Sequence, residues 1–242
     1  MAPELGMRST RVGMILPSSN TVVEPECIRL SGLAIEVSVH FARFALTAVS
    51  VANPAAAYYD SGAILGAARL LADARCHVIC WNGSAGGVVG FERDRQLCRE
   101  IATSTGIPAT TSSLAVLDQF ERTGVRRFAM VTLNPPEMNR TIKAHFAAAG
   151  YECVAATERT DIADNFAMAA VAPDEIRAMA VACVAHCKPR PDALIVYGTN
   201  TRGALVANLL RDELGLPVYD SVSWGMFGAL HALGRDISAL VN

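Results

Sequence analysis

Two stretches of this chain end an apolar run in the same chemistry. Ile79-Cys80-Trp81-Asn82-Gly83-Ser84-Ala85-Gly86-Gly87 and Leu194-Ile195-Val196-Tyr197-Gly198-Thr199-Asn200-Thr201-Arg202-Gly203 share one grammar: strand, aromatic residue, glycine, hydroxyl, then small residues that open a helix. A strand that stops this way leaves backbone N–H groups and a hydroxyl at the mouth of a parallel sheet, where the next helix dipole favours an anion. The chemistry that fits is capture of a carboxylate, or stabilisation of an oxyanion that forms from it. Two such mouths point to one site between two halves.

Other residues of suitable type gather at two further strand ends. Val12-Gly13-Met14-Ile15-Leu16 runs into Pro17-Ser18-Ser19-Asn20-Thr21, whose hydroxyls and amide can bind a carboxylate without adding charge. A plain helix N-cap needs only one of them. The run from Arg126 to Thr132 ends in Leu133-Asn134-Pro135-Pro136-Glu137-Met138-Asn139. Arg43, after the alternating stretch Ile35 to Phe41, could clamp a carboxylate or stand on the surface. General acid or base roles could fall to Glu24, Asp164, Glu137 or Asp220, each with a plainer alternative as a cap or structural acid. The five histidines are scattered, only His40 falls near an expected strand end, and no Ser-His-Asp order stands out.

The elements needed to position these residues run twice in the same order. Helical spacing from Pro54 to Arg75 leads into the first mouth; a helix after it stops at Thr105-Gly106-Ile107-Pro108, and a short strand and a helix follow. After Gly124 the pattern restarts, with helices at 140–149 and 173–187 around a polar loop at 161–166. It reaches Leu214-Gly215-Leu216-Pro217, the counterpart of the first Gly-apolar-Pro entry. Strands alternating with helices imply parallel sheets. The expectation is an α/β fold of two pseudo-symmetric halves, residues 1–118 plus 219–242 and residues 119–218. Loops 17–21, 83–87, 133–139 and 198–203 then converge on a cleft at the strand carboxyl ends.

Composition narrows the partner. With 242 residues, 52% of them hydrophobic, the chain can bury a substantial core. A net charge of −2, scattered, offers no basic stripe for nucleic acid. No apolar run nears the roughly 20 residues that span a bilayer, and Met1 to Thr10 lacks a signal core, so a cytoplasmic location is expected. Seven cysteines, an odd number, read as reduced thiols. Cys183, His186 and Cys187 lack a second cluster to complete a tetrahedral site, so no metal is expected. Met226-Phe227 and the alanine-rich helices would suit a homodimer.

Nearly the whole chain resembles the aspartate/glutamate racemase superfamily, in its maleate isomerase and arylmalonate decarboxylase branch. The resemblance is carried by Pro17-Ser18-Ser19-Asn20-Thr21 with Glu24, Gly83-Ser84-Ala85-Gly86, the Thr-Gly-Ile-Pro entry, Asp164-Asn165-Phe166-Ala167 and Gly198-Thr199-Asn200. It implies two Rossmann-like (flavodoxin-like) domains, no cofactor and a small carboxylate substrate in the cleft. It also implies that Asn20, Ser84, Asn165, Thr199 and Asn200, with the N–H groups of Ala85 and Asn200 and with Ser19 beside them, form a carboxylate cradle. In that family the mouths typically begin with cysteine, the groups that add to an alkene or move a proton. Here Gly83 and Gly198 stand at those positions, and Asn134 stands where a family tyrosine is usual. Cys80, three residues before Gly83 inside the strand, is better placed for packing than for rescue.

Three functions fit: a cofactor-independent isomerase or lyase that works through the oxyanion cradle, a hydrolase using water activated by Glu24, Glu137 or Asp164, or a carboxylate-binding protein without chemistry. The small residues at 83, 134 and 198 predict a ligand larger than maleate, unless Trp81 or Tyr197 refills the space.

Overall fold

The computed structural model describes residues 9–33, 36–46, 60–235 and 237. Each half forms one all-parallel four-stranded sheet. The first contains β1 (Thr10–Pro17), β2 (Val37–Phe44), β3 (Val78–Trp81) and β4 (Ala109–Thr111), in the order β2-β1-β3-β4. The second contains β5 (Arg127–Thr132), β6 (Glu152–Ala156), β7 (Ala193–Tyr197) and β8 (Val218–Asp220), in the equivalent order β6-β5-β7-β8. The central strands β3 and β7 are buried along their whole length, as near-continuous apolar runs covered on both faces must be. In both sheets the winding reverses between the two central strands, so loops leaving them diverge and open a crevice at the carboxyl ends.

Helices cover both sheets: α1 (Val23–Ser31), α2 (Ser61–Asp73), α3 (Gly86–Val89), α4 (Phe91–Thr105), α5 (Ser112–Thr123), α6 (Pro136–Ala148), α7 (Asn165–Ala170), α8 (Pro173–Ala185), α9 (Ala207–Leu214) and α10 (Ser221–Ala232). Gly106 and Gly215, the paired glycines of the repeated entry, both adopt the left-handed conformation that ends a helix (φ 72° and 60°). The helix expected from Pro54 begins at Ser61, where Asp60 Oδ1 accepts from Ala63 N; residues 54–59, like Ile35, lie outside the described residues. The loop expected at 161–166 gives way to α7 at Asn165, because Asp164 caps that turn.

The halves exchange their last helices. α10 follows the second sheet in the chain but lies on β3, β4 and α5 of the first. A side chain at Gly228 would strike Ala115, and one at Gly225 would stand 2.5 Å from the Asn82 amide. That buried amide donates to Val222 O (3.1 Å) and accepts from Ser112 Oγ (3.1 Å), tying β3 to both exchanged helices. In return, α5 sends Phe120 against Phe128, Phe146, Tyr151 and Tyr219. The expected boundary at 118/119 falls inside α5. One apolar cluster therefore spans both halves. Met226 and Phe227 are buried inside it, which corrects their assignment to a dimer surface: α10 presents them to its own chain. Among the described residues no helix is long and apolar enough to cross a membrane.

The close approach of α10 to α5 yields a test. Gly228→Ala places a methyl against Ala115 and is expected to destabilise the fold by about 1–3 kcal/mol. A urea midpoint equal to that of the parent would contradict this packing.

Candidate active site in the cleft between the halves

The four loops meet as the repetition implies. One cavity of about 60 Å³ is lined by Asn20, Gly83, Ser84, Asn134, Asn165, Gly198, Thr199 and Asn200 on its polar side. Pro17, Leu46, Trp81, Val88, Met138, Met168 and Tyr197 close the rest of it. Three roomier hollows, about 620, 860 and 260 Å³, share no residue with the strand-end loops.

Most side chains expected in the cradle bind one another across the cleft. Asn20 is 1% exposed; its Oδ1 accepts from the N–H groups of Val22 (3.0 Å) and Val23 (2.9 Å), and its Nδ2 donates to Thr199 O (3.0 Å). Asn200 answers from the other half, with Oδ1 accepting from Thr21 N (2.9 Å) and Nδ2 donating to Asn165 O. Asn165 Nδ2 donates to Ser19 Oγ (2.9 Å), which donates to Leu46 O (2.6 Å). These groups pin the two halves together.

The donors left over belong to the backbone. Among the described residues nothing in the protein accepts from the N–H groups of Ser84, Ala85, Thr199 or Asn200. The Ser84 and Thr199 hydroxyls and the Asn134 amide likewise carry no protein hydrogen bond there. Their directions are set from across the cleft. The Tyr197 hydroxyl of the second half donates to Ser84 O, and Asn20 of the first half donates to Thr199 O. In a planar trans peptide the C=O and the next N–H point opposite ways. Fixing Ser84 O therefore fixes the Ala85 N–H, and fixing Thr199 O fixes the Asn200 N–H. His145 Nδ1 lies 2.8 Å from Gly87 O and adds a second tie to the first mouth. Gly87 must be glycine, because a Cβ there would strike the Tyr197 hydroxyl.

Gly83 and Gly198 differ in what surrounds them. A Cβ at Gly83 would lie 2.7 Å from Trp81 Cε2, so the indole already fills that space. This corrects the expectation of a larger ligand on the first side. At Gly198, with φ +122°, only Thr201 Oγ1 (3.0 Å) and Met168 Sδ (3.9 Å) come within 4 Å of the same position. The second side is the less crowded of the two.

None of the proposed acids lines the cavity. Glu24 pairs with Arg43 through two contacts (3.0 and 2.9 Å), and Arg43 Nη1 also holds the carbonyls of Ser18 (3.0 Å) and Asn20 (2.9 Å). Arg43 thus shapes the first loop rather than clamping a ligand. Asp164 caps α7 (2.8 Å), exposed Glu137 opens α6, and buried Asp220 caps α10 through Val222 N and Ser223 N. Burial raises the Asp220 pKa. His40 contacts Ser38 on β2.

No cysteine lines the cavity among the described residues. Cys80 packs in the core, and burial pushes its thiol well above the ordinary range; the same cause takes Cys98 to about 12 and Cys183 to about 11. Sequence reasoning missed Tyr197 and His145 as loop clamps and Met138 and Met168 as lining. A hydroxyl or imidazole that reaches across halves leaves no local spacing to read.

The network across the cleft carries load. Asn20→Ala removes a cap and the tie to Thr199, and is expected to cost about 2–3 kcal/mol. A loss below about 0.5 kcal/mol in denaturant titration would contradict it.

Comparison with known proteins agrees with this fold. The chain is similar to the solved maleate isomerase Iso from Pseudomonas putida, with TM-score 0.86 and 21% identity over 97% of each chain. It is similar to Nocardia farcinica maleate cis-trans isomerase bound to TRIS, with TM-score 0.82 and 22% identity over 96% of this chain and 97% of that one. Unliganded arylmalonate decarboxylase gives TM-score 0.77 and 20% identity over 94% of both chains. No curated protein matches the chain. The family model for arylmalonate decarboxylase matches residues 12–241, nearly the full length. The chain belongs to the arylmalonate decarboxylase family.

Proposed function

We propose that the cleft decarboxylates a small malonate-type diacid without a cofactor. The observation that carries this reading is the set of cavity-lining residues Ser84, Thr199 and Asn200, whose N–H groups have no acceptor among the described residues and whose loops are each held by a hydrogen bond from the opposite half. Loss of CO2 breaks a C–C bond and leaves its electron pair on the remaining carboxylate as an enediolate. That step needs oxyanion donors and no base. Each preorganised donor is worth about 3–4 kcal/mol on developing charge. Ser84, Ala85, Thr199 and Asn200 supply them, with the Asn134 amide and the Asn165 loop beside them.

The departing carboxylate is assigned to the apolar wall of Leu46, Trp81, Val88 and Met138, where loss of hydration disfavours the ion and favours neutral CO2. Gly83 lets Trp81 approach, and Gly198 leaves room for the α-substituent. An isomerase acting on an alkene ranks second, because it needs a nucleophile and no thiol lines the cavity among the described residues. The hydrolase reading loses its base, since Glu24 and Asp164 hold other partners and Glu137 lies outside the lining. The seven free thiols fit a reducing compartment, and we place the enzyme in the cytoplasm, acting on a small molecule rather than a nucleic acid.

The test is incubation with vinyl-, phenyl- and naphthylmalonate and with maleate in deuterated water. CO2 release is expected, fastest for the smaller substituents, with one deuterium at the α-carbon of the product. Conversion of maleate with no CO2 from any malonate would overturn the assignment, as would binding without turnover. Tyr197→Phe loses the hydrogen bond that orients Ala85 N–H, and is expected to lower kcat about 10- to 100-fold with KM little changed. An unaltered kcat would remove Tyr197 from the account.

A further inference from the structure

The hollow of about 620 Å³ is lined by α4 and α5 of the first half and by α6 and Tyr151 of the second. Its size falls within the roughly 300–1,000 Å³ of small-molecule sites. One short helix joins it to the cleft. α3 spans Gly86–Val89; Val88 lines the cleft cavity, and Gly90, which ends the helix, lines the hollow. His145 also lines the hollow, and its Nδ1 lies 2.8 Å from Gly87 O. A carbonyl only accepts, so Nδ1 carries the hydrogen and Nε2 of the neutral ring is an acceptor. Nε2 makes no protein hydrogen bond among the described residues, and it stands 3.7 Å from where a Cβ of Gly90 would be.

The charges around the hollow are only partly paired. Glu92 meets Arg99 (2.9 Å) and Arg95 (3.7 Å). Asp118 and Glu121, one turn apart on α5, make no side-chain hydrogen bond or ion pair among the described residues. The Arg126 guanidinium lies 5.9 Å from the centre of the Tyr151 ring and meets no carboxylate there. Phe91 and Leu117, both buried, give the hollow an apolar floor.

We infer that this hollow is a second ligand site, for a small zwitterion with an apolar side chain, such as an aromatic amino acid. Asp118 and Glu121 attract the ammonium, with His145 Nε2 as a further acceptor; Arg126 takes the carboxylate, and the side chain covers Phe91 and Leu117. A donor on Nε2 polarises the imidazole and strengthens the Nδ1–H bond to Gly87 O. Occupancy of the hollow therefore steadies the first mouth through α3. The site does not depend on which reaction the cleft carries out.

Calorimetric titration of L-phenylalanine into the unmodified protein, paired with amide NMR, tests this. Saturable binding with a Kd of about 1 mM or tighter is expected. Phenethylamine, which lacks the carboxylate, and 3-phenylpropionate, which lacks the ammonium, are each expected to bind at least about 10-fold more weakly. Arg126→Ala is expected to weaken phenylalanine about 10-fold and leave phenethylamine unchanged, while Asp118→Asn with Glu121→Gln weakens phenylalanine and spares 3-phenylpropionate. In the parent, binding is expected to move the amide signals of Leu117 and Gly87 together; in His145→Phe, saturating ligand moves Leu117 alone. No saturable binding at about 10 mM, equal affinity for the three ligands, or phenylalanine affinity untouched by the Arg126 and α5 variants would each overturn the site. A parent in which Leu117 moves and Gly87 does not would overturn the link to the mouth.

Discussion

The structure depends on two crossed hydrogen bonds. Tyr197 of the second half holds a carbonyl of the first mouth, and Asn20 of the first half holds a carbonyl of the second. Each bond fixes a peptide plane and with it the opposed N–H, of Ala85 in the first mouth and of Asn200 in the second. Each mouth takes one of its carbonyl hydrogen bonds from the opposite half. The site therefore exists only while the halves are docked, and the exchange of α5 and α10 and the shared aromatic core around Phe120 keep them docked.

This arrangement accounts for a division of labour among residues of similar chemistry. Asparagine side chains at 20, 165 and 200 could each serve a ligand if the loops were free; here they hold the loops instead, and in the proposed reaction it falls to the main chain to meet the charge. Main-chain donors suit this task, because they cannot rotate away and they add no positive charge that would stabilise the substrate dianion as much as the enediolate. Arg43 follows the same logic: its guanidinium faces the carbonyls of loop 17–20 and Glu24, so the cation nearest that loop shapes it from behind.

Much of the fold was legible because periodicity and punctuation are local. The strands ending at Pro17, Trp81, Thr132 and Tyr197 and the stops at Gly106 and Gly215 followed from apolar runs and from glycine before an X-Pro entry. Their convergence followed from the repetition. The roles of Glu24, Asp164 and Arg43 did not follow, because residue type shows what a side chain can bind but not which neighbour reaches it first. Trp81 shows the limit: the sequence leaves open whether it refills the room beside Gly83, and only the structure places its indole against that glycine, two residues on. Met226 and Phe227 erred in the opposite direction, since an apolar pair looks the same whether it meets another chain or its own.

The central claim, that the cleft is built for an enediolate rather than for the acid it becomes, is tested most directly by affinity. The nitronate of phenylnitromethane copies the planar, charge-delocalised enediolate of phenylacetate. Calorimetric titration of both ligands into the unmodified protein compares the two states in one site. The account predicts that the nitronate binds at least about 100-fold more tightly than phenylacetate, as a mimic of the charged intermediate should. Equal affinity for the two would contradict it.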